Sequence, residues 1–269
     1  MKTLATIIIL AFVTTVFSQD FQGVATYKSH RKMDLKLENE NENTELHKQL
    51  REQLKKQFQK EFTLTFSKEE SIYKQNKSLA APSPKPSNGI FISVSSNSDI
   101  TYKNIKENRY TVDTEVYGKR FLIKDTIKPI QWELQAETKS IGEYICNKAI
   151  FKDTYETKTL TDEGTLETVT KERITTAWYT MQIPVNNGPQ QFQGLPGLIL
   201  EINDGKLTLV CTKIVLNAEE KEKIEEPKKG KKVTQEAFDA ILQKKSEEMM
   251  EQFRGRRKGG REVMISVGG

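Results

Sequence analysis

Leu198-Ile199-Leu200-Glu201-Ile202-Asn203-Asp204-Gly205-Lys206-Leu207-Thr208-Leu209-Val210-Cys211-Thr212-Lys213-Ile214-Val215 reads as a β-hairpin. Side chains alternate across a strand, so Leu198, Leu200 and Ile202 share one face. Asp204-Gly205 suits a two-residue turn, because both positions tolerate positive φ. Leu207, Leu209 and Cys211 are then expected opposite Ile202, Leu200 and Leu198. A hairpin with one continuous apolar face must bury that face against more sheet or a helix.

The approach to this hairpin is equally informative. Gly188-Pro189-Gln190-Gln191-Phe192-Gln193-Gly194-Leu195-Pro196-Gly197 holds several bends in a short span. Pro196-Gly197 fits the central positions of a type II turn, with Pro presetting φ and Gly supplying positive φ. Leu195, Leu198 and Ile199 around it predict a turn pressed onto the core. Gly188, Pro189, Gly194, Leu195, Pro196, Gly197, Leu198 and Ile199 are therefore either a structural corner or the rim of a partner or ligand site.

Outward from here the pattern is mostly of strands. Phe21–Lys28, Phe62–Lys74, Arg109–Val116, Lys119–Ile123, Ile130–Leu134, Ile141–Lys152 and Arg173–Ile183 alternate and carry β-branched or aromatic residues. Thr157–Lys171 is polar and suits a long hairpin tip. Two stretches change period. Leu46, Leu50, Leu54, Phe58 and Phe62 recur every fourth residue, predicting an amphipathic helix over 44–62. Phe238, Ile241, Leu242, Met249 and Phe253 predict another over 234–253, with Thr234 as N-cap. The expected class is α+β, mainly antiparallel β: a large curved sheet or half-barrel with amphipathic helices near the N-terminus and at the C-terminus, or else a sandwich. The expected organisation is a signal peptide (1–18), a β-rich domain (19–217) with the inserted helix and a Pro-rich loop (76–89), a charged linker (218–233), the C-terminal helix and a basic Gly-rich tail (254–269).

The first residues follow the three-part pattern of a secretory signal: Lys2, an apolar run centred on Ile7–Val13, and Val16 and Ser18 before a cleavage point at Ser18-Gln19. That run is shorter than the roughly twenty residues needed to cross a bilayer. No later segment is apolar enough to span, so no transmembrane span is expected after cleavage. The chain has 36% hydrophobic and 29% charged residues and a net charge of +5, a small excess over a mixed population that gives no sign of nucleic-acid binding. Cys146 and Cys211 are the only cysteines. Outside the cytoplasm they can form one disulfide; two buried free thiols are the other reading.

Catalytic and cofactor patterns are missing from the sequence. His30 and His47 have no Asp/Ser partner pattern, and there is no G-x-S-x-G elbow. Zinc-type Cys/His spacing does not occur. Glu38–Glu45 alternates acidic and amide oxygens without the EF-hand glycine and reads as a solvated loop. The tail residues Arg254, Arg256, Arg257, Lys258 and Arg261 form a basic cluster that reads as solvated or as facing lipid phosphate. No cofactor and no metal are expected.

Gly194-Leu195-Pro196-Gly197-Leu198-Ile199-Leu200-Glu201-Ile202 resembles the signature of the GLPGLI family. Trp132-Glu133-Leu134, Tyr144–Ala149, Ala177–Thr180 with Ile183-Pro184, Gly23–Tyr27 and Glu70–Tyr73 resemble that family's pattern as well, so the likeness spans most of Phe21–Leu216. The resemblance implies an exported Gram-negative envelope protein of unestablished biochemical function. Cys146 matches a family position; Cys211 has no firm equivalent. The implied address is the periplasm, with release beyond the outer membrane as a second destination. The expected role is non-enzymatic: binding an envelope or outer-membrane protein partner, or a hydrophobic ligand such as a lipid or lipoprotein. An accessory subunit of an outer-membrane transporter or secretion complex is the alternative, and a hydrolase a remote one.

Overall fold

The computed structural model describes residues 21–32, 59–77, 99–160 and 166–256, with the backbone alone described for 157–160, 166 and 249–256. The expected signal peptide, the acidic run 38–45, His47, most of the helix 44–62 and of the Pro-rich loop 76–89, and the tail beyond Arg256 lie outside these residues.

The described chain forms β1 (Gln22–Arg31), β2 (Glu61–Ser67), β3 (Glu70–Gln75), β4 (Ile100–Asn104), β5 (Arg109–Val116), β6 (Lys119–Thr126), β7 (Glu133–Ile141), β8 (Tyr144–Leu160), β9 (Leu166–Thr180), β10 (Leu198–Asn203), β11 (Leu207–Leu216), β12 (Lys231–Val233) and α1 (Gln235–Arg256). All twelve strands belong to one open sheet in the order β12-β6-β5-β4-β3-β2-β1-β11-β10-β9-β8-β7. The architecture is thus one sheet, not the sandwich alternative. Among the described strands only the β12–β6 pair is parallel. β1 sits mid-sheet because it pairs with β2 on one side and with β11, late in the chain, on the other.

Alternation sets the two faces. Ala25, Tyr27 and Ser29 on β1 are buried, while Lys28 and His30 are exposed. Register carries this inner face along the sheet: Ala25 opposes Leu64, Leu64 opposes Tyr73, Ser71 opposes Lys103, and Lys103 opposes Tyr110. β5–β6 pairing extends it to Phe121 and Ile123. α1 lies on this end of the face, with the Phe238 ring edge-on to Phe121 at 5.4 Å and Ile241 and Leu242 beside it. Thr234 caps α1, its Oγ1 accepting from the Ala237 N–H at 3.2 Å, which satisfies one of the unpaired first-turn donors. No described helix is long and apolar enough to cross a membrane.

Four expectations are corrected. Glu61 and Phe62 are strand, not the end of a helix; Phe62 stacks on Tyr73 at 5.2 Å, and that inner-face contact fixes its conformation. Of Ile130–Leu134, only Glu133 and Leu134 join β7. The 198–215 hairpin forms, but Ile202 opposes Leu209 and Asn203 opposes Thr208. Its connection is longer than two residues because the Asn203 and Asp204 side chains accept the Gly205, Lys206 and Leu207 N–H groups. Gly205 alone of the expected turn pair takes positive φ.

The charged segment 218–233 is the fourth. Its last three residues are β12, and the part before them crosses the outer face of the sheet. Glu222 accepts from Thr65 Oγ1 at 2.9 Å, and its carbonyl accepts from Gln22 Nε2 at 2.7 Å. Glu226 accepts from Thr111 Oγ1 and Lys124 Nζ, each at 2.7 Å, and pairs with Arg109 at 2.9 Å. Burial alone would raise the Glu226 pKa; these three partners outweigh it and hold the carboxyl down at about 2.

Candidate functional site

The connection from β9 to β10, residues 181–197, turns inward instead of hanging over the surface. Ile183, Val185, Phe192 and Leu195 are all buried. Ile183 and Val185 join Ala25, Tyr27, Leu64, Phe66, Tyr73, Leu198 and Leu200 in one core cluster. Phe192 and Leu195 join Ala149, Ala177, Tyr179, Ile199 and Ile202 in another. A backbone that leaves its ladder and is buried must find other partners. It does so locally: the Leu198 N–H donates to Ile183 O and the Ile199 N–H to Asn187 O, each at 3.0 Å.

Three side chains from distant parts of the chain complete the fastening. Lys103 on β4 is 1% exposed and donates from Nζ to Gly188 O at 2.9 Å and Phe192 O at 3.0 Å. Tyr27 on β1 donates to Ile199 O at 2.7 Å. Trp132, in the segment joining β6 to β7, donates from Nε1 to Gln193 O at 2.8 Å, and Gln193 Nε2 donates to Lys128 O at 3.2 Å. In the sheet order β4 and β10 are five steps apart, about 24 Å if the sheet were flat. The sheet therefore curves around the loop. Burial lowers the Lys103 pKa to about 7, and the two hydrogen bonds it donates match the two N–H groups of a neutral amine.

The motif residues act through packing. Gly194 holds φ +97° and is exposed; its N–H donates to Asn186 Oδ1. Gly197, expected to supply positive φ, does not. A Cβ there would lie 2.0 Å from Thr180 O, so this glycine permits two backbones to touch. Gly188 and Pro189 are buried, Pro196 is exposed, and Leu195, Leu198 and Ile199 are core. Cys146 and Cys211 are buried free thiols; the disulfide considered above is not present. Each sulfur lies near a carbonyl of its own strand, Tyr144 O at 3.7 Å and Lys213 O at 3.5 Å. Burial raises the Cys146 thiol to about 11 and the Cys211 thiol to about 12, leaving both protonated and unreactive at neutral pH. Among the described residues no group of three His, Cys, Asp or Glu is placed to hold a metal.

A second feature lies beyond the loop's neighbours. β8 and β9 pair without a break from Asn147↔Tyr179 to Leu160↔Leu166. β7 stops pairing at Ile150 and β10 at Thr176. From Phe151/Thr175 outward the two strands form a ribbon, and among the described residues no further strand pairs with either edge of it. Lys152, Thr154, Glu156, residues 167–172 and Ile174 are exposed. Asp153 and Arg173 pair across it, Nε to Oδ1 at 3.0 Å, with Arg173 over the Tyr155 ring.

Sequence reasoning missed Lys103 and the length of the ribbon. Lys103 shares strand alternation with Thr101, which marks a face but not which face is buried. The ribbon's length follows only from pairing register.

Residues 132–201 match the model of a family described as "Protein of unknown function (Porph_ging)", a domain of unknown function found in Bacteroidetes. The matched stretch contains the Trp132 segment, β7–β9, the loop and the start of β10. No curated protein matches the chain. Among solved structures, PNGF-II in its C2 and P21 crystal forms is similar at TM-score 0.48, with 11% and 12% identity, over 83% of this chain and 33% of that one. The chain thus spans a third of the length of PNGF-II.

Proposed function

We propose that this chain is an exported envelope protein of the GLPGLI type whose role is to bind a protein partner, without catalysis, through the β8–β9 ribbon. The observation that carries this reading is the ribbon itself. A two-stranded ribbon is marginal in water by itself, and its edges, which no further described strand pairs, offer N–H and C=O groups in strand spacing. An extended segment of a partner adds to such an edge by backbone hydrogen bonds, with side-chain contacts setting specificity. The exposed Lys152, Glu156, Lys171 and Glu172 supply charges of both signs along it. Against a lipid or lipoprotein carrier stands the loop 181–197, whose Ile183, Val185, Phe192 and Leu195 already occupy the interior.

The experiment is affinity purification from the native envelope with the intact chain and with a chain in which a short turn replaces residues 153–173. We expect one protein in defined stoichiometry with the intact chain and its loss with the shortened one, and no stoichiometric lipid with either. Stoichiometric lipid retained by both chains would overturn the reading.

A further inference from the structure

Resting on the reading of the ribbon as a docking site, we infer that what docks there is a second copy of this chain, joined edge to edge and antiparallel along β9, with Thr170 opposite Thr170 of the other copy.

The sheet's edges differ in how they discourage another strand. β12, at one end of the order, is three residues long. β7, at the other, breaks register between Leu134 and Thr138. Short strands and bulges are ordinary defences of an edge. The β8–β9 ladder has neither, running from Asn147↔Tyr179 to Leu160↔Leu166 without a register shift. Residues 166–175 hold no Pro and no Gly, and Thr168, Val169, Thr170, Ile174 and Thr175 are β-branched, as strand pairing favours. Val169 is 38% and Ile174 49% exposed. Outward of Thr176, the last residue that β10 pairs, no described strand lies against this side of β9.

Charge then selects the occupant. Copies related by a two-fold axis meet through the same patch, so the register is fixed by the one residue that faces its own copy. Lys171, Glu172 or Arg173 in that place would set a charge against itself, which is unfavourable. Val169 in that place would pair only residues 166–172. Thr170 pairs residues 166–174, the longest run without a self-opposed charge. It sets Glu167 opposite Arg173 on both sides of the axis, and Ile174 opposite Leu166. Arg173 can take a second carboxylate: Asp153 accepts from its Nε at 3.0 Å and from its Nη2, and a guanidinium carries further N–H donors. The β8 edge is less suitable. Its matching register, with Thr154 facing its copy, opposes Lys152 to Glu156, but Glu133 already holds Lys152 at 3.2 Å. Joining the β9 edges merges two ribbons into one four-stranded sheet, which relieves the marginal stability of each alone.

The test is sedimentation equilibrium of the purified full chain over a concentration series. We expect a monomer–dimer equilibrium with a Kd of about 10 μM, the strength of a small interface. Glu167→Arg should weaken the dimer about tenfold, because it sets two cations opposite each other. Arg173→Glu, combined with Asp153→Arg so that the cross-strand pair survives reversed, should do the same with two anions. Mixed in equal amounts, these two variants should dimerise with each other at about the wild-type Kd, since both charge pairs are then restored. Glu167→Arg leaves the Asp153–Arg173 pair untouched and carries the test even if the other variant disturbs the ribbon. A chain monomeric throughout the series overturns the proposal. So does a dimer that Glu167→Arg leaves unchanged, or one that persists when a short turn replaces residues 153–173. A monomeric chain that captures a different protein only with 153–173 in place overturns the self-pairing while supporting the docking reading beneath it.

Discussion

The loop 181–197 and the β8–β9 ribbon adjoin the same strand, β9, and are built in opposite ways. The loop has little regular backbone pairing, yet Ile183, Val185, Phe192 and Leu195 are buried, and Lys103 and Trp132 hold its carbonyls. The ribbon has an unbroken ladder, and beyond Thr175 its described side chains are exposed or half-buried. Stability follows burial more than regularity. A ladder in water exchanges hydrogen bonds with solvent at little net gain, whereas each buried large apolar side chain contributes about 1.5–3 kcal/mol.

The comparison breaks most sharply at Gly197. A methyl group there meets the Thr180 carbonyl, and backbone cannot yield as a side-chain end does. Gly197→Ala should destabilise the whole domain by about 4 kcal/mol, seen as a lower denaturation midpoint with unchanged m-value.

Lys103 gives the next largest effect, through pH. Its folded pKa of about 7 lies below the ordinary lysine value of 10.5. Between these values the unfolded chain binds more protons, so stability from this group rises with pH; below 7 both states are protonated and the dependence vanishes. The difference in unfolding free energy between wild type and Lys103→Met should grow in the wild type's favour by about 2 kcal/mol from pH 7 to pH 9. Parallel curves would place the Lys103 amine in contact with water.

Trp132→Phe removes the donor to Gln193 O while keeping an aromatic ring beside Phe192 and Phe151. About 1.5 kcal/mol should be lost globally, read as a reduced melting temperature. The smallest effect belongs to the ribbon. Asp153→Asn weakens a half-exposed pair with Arg173 and should cost under about 1 kcal/mol. Its mark should be faster amide exchange confined to 151–160 and 166–175, with the melting temperature unmoved.

Much of the sheet was legible in the residues. Arg109–Val116 coincides with β5, and the 198–215 hairpin and the Thr234 cap follow from local chemistry. The limits had physical causes. Asn203 and Asp204 accept loop N–H groups, which changed the hairpin's connection without changing its strands. Phe62 continues a four-residue apolar spacing, yet its stacking partner Tyr73 lies outside that local pattern. Within the motif Leu195, Leu198 and Ile199 are buried while Gly194 and Pro196 are exposed, and the reason for Gly197 lies in Thr180, a contact no local spacing reveals. Lys103 was invisible for the same reason: burial is a property of what covers a residue.

The crossing of residues 217–230 over the outer face has a consequence for the order of assembly. β1 lacks one neighbour until β11, nearly the whole length of the domain later, has been made. The crossing segment can only be laid down after that, since Glu222 and Glu226 grip groups already spread over β1 to β6. Contacts that form after the rate-limiting step leave the folding rate alone and slow unfolding. Severing these two glutamates should therefore shorten the lifetime of the folded state while leaving its speed of formation unchanged.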